Sequence, residues 1–164
     1  HPVEHTTVDH VLKAAGVSRR TFYRFFSSLE AVLAALYERG SRLLLARVDH
    51  GLRSGNTPDR RCQGLVDAYL AVEALDGRLL RVLTGEALRG NSALAPHRKA
   101  LLDAIAESVR LHLNPDADLL LIQGVLIGLE GVLRSATTDG PMSPALRRRA
   151  RAAMLRQMSL IANA

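Results

Sequence analysis

The run Phe22, Tyr23, Arg24, Phe25 and Phe26 concentrates recognition chemistry in one place. It holds four of the six aromatic residues of a chain with three Phe, three Tyr and no Trp. Arg19 and Arg20 stand just ahead of it, after Gly16, Val17 and Ser18. A guanidinium presents fixed donors that suit phosphates and guanine edges. Bulky rings beside it wedge a helix against its neighbours. The chemistry implied is ionic and hydrogen-bonded recognition of a polyanion, not bond making. Phe22 and Phe26 lie one turn apart and face inward, while Arg19, Arg20, Tyr23 and Arg24 share the remaining surface.

A second set of residues suggests small-molecule binding. Tyr69, Glu73, Thr84, Glu86, Gln123 and Glu130 are polar positions inside otherwise apolar helical segments, and a pocket needs apolar walls with a few polar groups. Glu130 is the most telling, because a carboxylate among Ile127, Leu129 and Val132 is costly unless paired. Arg134, one turn on, is its expected partner in the competing, purely structural reading. Tyr69 likewise reads as a core residue with a satisfied hydroxyl. No Gly-rich phosphate loop follows a strand, and no His-Glu-x-x-His, Cys pair or Gly-x-Ser-x-Gly is present. No catalytic residue, cofactor or enzymatic activity is expected. His1, His5 and His10 are near neighbours, but their spacing is poor for chelation on one helix, so no metal site is expected. The single Cys62 reads as a small buried apolar residue; it cannot make an intrachain disulfide and fits a reducing cytoplasm.

The elements that must position these groups are helices throughout. Thr6 or Thr7 can cap a first helix whose apolar face is Val8, Val11, Leu12 and Ala15. Gly16 suits its left-handed end, Val17 can plug the angle, and Ser18 can cap a second helix from Arg19 to about Phe26. Two helices joined by a short turn containing Gly match a helix-turn-helix, whose second helix enters the major groove of DNA. Ser27 or Ser28 caps a third helix to about Leu52, with Glu30 near its positive end. Pro58 opens a helix over Asp59 to about Leu75, Asp76-Gly77 breaks it, and Arg78 to about Leu88 follows. Further helices are expected over Ala93 to Leu113, interrupted near Pro96, then Ala117 to Ala136, and Pro144 to about Ile161. The fold class is all-α.

The segments Thr-Thr-Val-Asp, Ala-Ala-Gly-Val-Ser, Thr-Phe-Tyr-Arg-Phe-Phe and Leu-Glu-Ala-Val-Leu, from Thr6 to about Gly40, resemble the tetracycline-repressor (TetR) family of bacterial transcription regulators. The resemblance implies a homodimeric repressor with a DNA-binding domain over residues 1–40 and a ligand-binding and dimerisation domain over residues 41–164. By this likeness Thr7 and Tyr23 fall at phosphate-contacting positions, and Arg19, Arg20 and Thr21 where family members reach base edges. With Ser18 and Arg24 these make up the expected DNA-contacting set. The family usually has His at the place of Phe25 and Lys at that of Leu29, which implies fewer backbone contacts here. It also has a helix ahead of the Thr-Thr segment, where only His1 to His5 stand; we expect that residues upstream of His1 supply it. A protein of this fold that binds a ligand or assembles with others without DNA is the alternative.

Bulk properties agree. The formal charge is +6 and the pI about 10.4, favouring an acidic partner such as double-stranded DNA. Hydrophobic residues make up 48%, ample for a core. No run of eighteen apolar residues is free of charge, so no membrane span is expected. The nearest candidate, Leu119 to Leu133, is short and holds Gln123 and Glu130. That segment is apolar nearly all round and must be buried on more than one side. Gly124, Gly128 and Gly131 give it a smooth strip for close helix approach. Leu146, Ala150, Met154, Met158 and Ile161 form one face of the last helix. Residues 117–136 and 144–161 are expected to form a homodimer interface, an isologous four-helix bundle. Arg147, Arg148, Arg149, Arg151 and Arg156 read as a solvated outer face.

Overall fold

Helix starts in this chain are marked by side chains suited to the task. The computed structural model describes residues 6–162, with the side chains of Asp76 and Arg78 not described. Among the described residues there are seven helices: α1 (Val8–Ala15), α2 (Arg19–Phe25), α3 (Leu29–Ser54), α4 (Pro58–Ala87), α5 (Ala95–His112), α6 (Leu119–Ala136) and α7 (Pro144–Ala162). Thr7 caps α1 and exchanges hydrogen bonds with His10, a capping box with His at the third position. Ser18, Ser28, Thr57 and Asp118 cap α2, α3, α4 and α6 by accepting from a backbone N–H three residues on. Gly16 ends α1 in the left-handed region, at φ 65°.

Two helix boundaries and one packing role differ from expectation. Asp76-Gly77 does not break the chain, and α4 is one helix of 30 residues. A glycine inside a helix costs only about 1 kcal/mol, and packing of α4 on α3 and α7 offsets it. Pro96 does not interrupt α5 but lies in its first turn, where a missing N–H costs nothing. Val17 does not plug the α1–α2 angle; it is 38% exposed. The expected division at residue 40 falls inside the unbroken α3.

The main core lies among α3 to α7. Leu126 and Leu129 of α6, Met154 and Met158 of α7, Ile105 of α5, Leu65 of α4 and Leu52 of α3 are fully buried there. The α3–α4 crossing is set by two glycines: a Cβ added at Gly51 would stand 2.6 Å from the backbone of Gly64. A smaller cluster of Tyr37, Leu83, Ala87 and Leu94 ties the first half of α3 to the end of α4 and the start of α5. α6 has 18 residues and is, by length and composition, apolar enough to cross a membrane. Here it packs against α5 and α7 instead.

Candidate functional site

The first candidate surface is α2. Ser18 accepts from the Thr21 N–H at 3.1 Å and shares a hydrogen bond with the Thr21 hydroxyl at 2.9 Å. Its short side chain therefore fixes the first turn. Phe22 is the residue of α2 that is buried. Its ring meets Tyr23 edge-on at 5.2 Å and tilts against Phe26 at 5.9 Å. With Phe22 turned inward, Arg20, Tyr23 and Arg24 are exposed. The Arg24 guanidinium lies 4.7 Å over the ring of Phe25, itself 65% exposed. Arg19 donates to Asp9 of α1 and so braces the two helices together. Thr7 is exposed at the start of α1. At the start of α3 the Glu30 carboxyl is held below its ordinary range by the Ser28 side chain and its own backbone N–H. His1 and His5 lie outside the described residues, so the histidine cluster is not placed.

The second candidate is a cavity between α3, α4, α5 and α6, with about 90 Å³ open to the centre of a water molecule. Of the six residues expected at a ligand site, Tyr69, Glu73, Thr84 and Glu130 line it. Glu86 and Gln123 do not. Glu86 sits at the end of α4, 3.4 Å from Arg89. Gln123 donates to Asp103 of α5 at 2.9 Å, satisfying its amide across the helix pair.

Glu130 is paired, but with Arg98 of α5 and not with Arg134. The Arg98 Nε donates to Oε2 at 3.1 Å, with a second, shorter bond from Nη2. Arg134 is instead exposed to solvent, because the core side of α6 turns Glu130 toward α5. Burial raises the Glu130 carboxyl pKa, and Arg98 works against that rise. Burial, then the charge of Glu130, pushes the Tyr37 phenol up to about 12. The same two causes push Tyr69 far up. The Tyr69 hydroxyl has no hydrogen-bond partner, contrary to the satisfied core residue expected. Cys62 is buried, and burial with the nearby Asp59 pushes its thiol up to about 11.

Tyr37 and Arg81 line the cavity unforeseen, and Arg98 stands behind it. Glu73, Gly77 and Arg81 recur every four residues on one face of α4. That spacing was legible, but a helix break placed at Asp76-Gly77 hides it.

The arginines of α7 divide. Arg151 holds Asp67 with two hydrogen bonds at 2.7 and 3.0 Å, and Arg147 reaches Glu73 at 3.5 Å and the Leu70 carbonyl at 2.8 Å. These two lock α7 to α4, because an arginine stem spans the gap between packed helices. Arg148, Arg149 and Arg156 belong to the outer face, as expected, and none of them makes an ion pair among the described residues. The face of α7 built from Ala150, Met154, Met158 and Ile161, with Leu146 half-buried, packs inside the chain and is not free for a partner. The uncovered apolar surface is elsewhere: Leu120 (76% exposed) and Ile127 of α6, and Leu160 of α7. Gly124 and Gly131 have open space over them, while Gly128 faces Gln157 of α7.

Residues 1–36 match the family model described as bacterial regulatory proteins, tetR family. The N-terminal segment of the chain is thus similar to the N-terminal domain of that family. Over nearly the whole chain the all-helical fold is similar to a solved one: a crystal structure of the TetR family transcriptional regulator PfmR from Thermus thermophilus superposes with a TM-score of 0.74, covering 95% of this chain and 89% of that one at 22% identity. Among relatives, the nucleoid occlusion factor SlmA of Haemophilus influenzae (strain PittGG) is 31% identical over 98 residues, 60% of this chain and 45% of the relative. The SlmA of Actinobacillus pleuropneumoniae serotype 5b (strain L20) is 28% identical over 86 residues, 52% and 43% respectively. The chain thus spans under half the length of these relatives.

Proposed function

We propose that this protein is a ligand-responsive repressor that binds a palindromic DNA site as a homodimer in the cytoplasm. The observation that carries the reading is α2 itself, with Phe22 turned in and Arg20, Tyr23 and Arg24 turned out. Residues 1–40 read the DNA, with Thr7 and Tyr23 on phosphates and Arg19, Arg20 and Thr21 at base edges, Ser18 and Arg24 supporting them. Residues 41–164 form the ligand-binding and dimerisation body. The uncovered strip of Leu120, Gly124, Ile127 and Leu160 supports a dimer seam, since contiguous apolar surface favours burial. Such a dimer must set its two α2 helices about 34–36 Å apart for successive major grooves. Coupling runs through α3, which starts three residues after Phe26 and also supplies Tyr37, Gly40, Ser41 and Leu44 to the cavity wall.

A second reading, a family fold that has given up DNA for ligand binding or assembly, is favoured by one feature. Phe25 is exposed where a phosphate-contacting His is usual. Fluorescence anisotropy of a labelled duplex from the protein's own promoter, across a salt series, separates the two. The repressor reading expects affinity to fall steeply with salt as counterions are released. Binding indifferent to both duplex and salt would favour the second. In the same assay Arg20→Ala should cost about 1–3 kcal/mol and relax sequence preference. Tyr23→Phe should weaken all sequences alike.

A further inference from the structure

The cavity has an electrical sense that the regulator reading leaves unassigned. Its charged lining groups are Glu73, Arg81, Glu130 and Arg134. Both carboxylates are already engaged, Glu130 by Arg98 and Glu73 by Arg147. Neither Arg81 nor Arg134 makes an ion pair among the described residues. Three buried side-chain polar atoms among the described residues lack any hydrogen-bond partner: Tyr69 Oη, Arg81 Nη1 and Gln157 Oε1. The first two belong to residues lining this one cavity. An unpaired buried donor costs its full desolvation, and more when it is charged. Gly77 keeps the space beside Arg81 open: a Cβ there would lie 3.5 Å from Arg81 Nη1 and 2.7 Å from Glu73 Oε1.

We infer that the cavity takes a small amphiphilic carboxylate, its apolar body against Leu80, Leu101 and Leu133, its carboxylate on Arg81, and a second oxygen on the body accepting from the Tyr69 hydroxyl. This assignment rests on the pocket half of the function proposed above and does not depend on DNA binding. A cationic ligand would meet Arg81 and Arg134 with no carboxylate left to pair with it. A neutral apolar ligand would leave Arg81 Nη1 orphaned. Burial keeps Tyr69 protonated at neutral pH, so its hydroxyl remains a donor.

Hexanoate, hexan-1-ol and hexylamine form a matched set of probes for titration calorimetry on the whole chain. Hexanoate should bind tightest of the three. Arg81→Gln should weaken hexanoate by about tenfold or more, as expected for a lost charge-assisted hydrogen bond, and leave hexan-1-ol unchanged. Gly77→Ala keeps every ionisable group and fills the cradle, so it should weaken hexanoate too, and it serves if Arg81→Gln fails to fold. 6-Hydroxyhexanoate should gain over hexanoate on the parent protein and lose that gain on Tyr69→Phe. Equal binding of the three probes, preference for hexylamine, no binding of any, or hexanoate binding indifferent to both α4 variants would overturn the assignment. Duplex anisotropy on the same preparation separates the two readings. Arg81-dependent hexanoate binding without duplex binding sinks the regulator reading alone. Duplex binding without charge preference in the cavity sinks this assignment alone.

Discussion

The two ends of this molecule are held together by different physics. α1 buries no residue and α2 buries only Phe22, so the reading head stands on caps, one ring and the Arg19–Asp9 brace. The body of α3 to α7 stands on a large contiguous core, with Leu126, Met154 and Met158 wholly shielded from water. A segment with few buried apolar contacts opens at low free energy, and a core opens only with the whole. The contrast suits the proposed task. In that proposal a head adapts to DNA while a body keeps its shape around a cavity, and α3 is common to both.

Substitutions can break that contrast. Leu126→Ala should cost about 2–5 kcal/mol in urea unfolding, since a wholly buried leucine leaves a cavity behind. A loss near zero would mean the body is not the stable half. Arg98→Ala should cost about 3 kcal/mol, because both its side chain and that of Glu130 are mostly shielded and the carboxylate would be left alone. Its effect carries a sign with pH. Burial raises the folded carboxyl pKa above its ordinary 4.5, so ionising Glu130 in the fold costs stability as pH climbs past that value. The Arg98→Ala deficit should therefore be smallest near pH 4 and grow toward neutrality; a deficit independent of pH would count against an ion-pair role.

Smaller effects sharpen the comparison. Gly51→Ala should cost about 1–3 kcal/mol, since its methyl would collide with the Gly64 backbone and force α3 from α4. A silent Gly51→Ala would mean the two helices are not in glycine contact. Gly16→Ala should cost about 1 kcal/mol through left-handed strain alone, as open space surrounds the site. It should lower duplex affinity while leaving the body's melting unmoved. A shift of the whole transition would show that head and body unfold as one.

The reading head was nearly all legible because its determinants are local. Thr7, Gly16, Ser18 and Ser28 act on backbone groups within four residues, and the inward turn of Phe22 follows from helical periodicity. The cavity was legible only in part. Tyr69, Glu73, Thr84 and Glu130 stand out as polar positions in apolar helices, whereas Glu86 and Gln123 stand out equally and belong elsewhere. Polarity marks a residue that must find a partner; it does not say which one.

The sequence by itself determined an all-helical chain, its caps, and a two-helix unit with Arg20 and Arg24 turned outward, since each follows from interactions within a turn or two. Only the tertiary structure decided that α4 runs through Gly77, that Glu130 takes Arg98, and that the methionine face of α7 turns inward while Leu120 and Leu160 remain uncovered. Those outcomes depend on which helices meet across long stretches of chain, where packing outweighs the weak preference of any single residue.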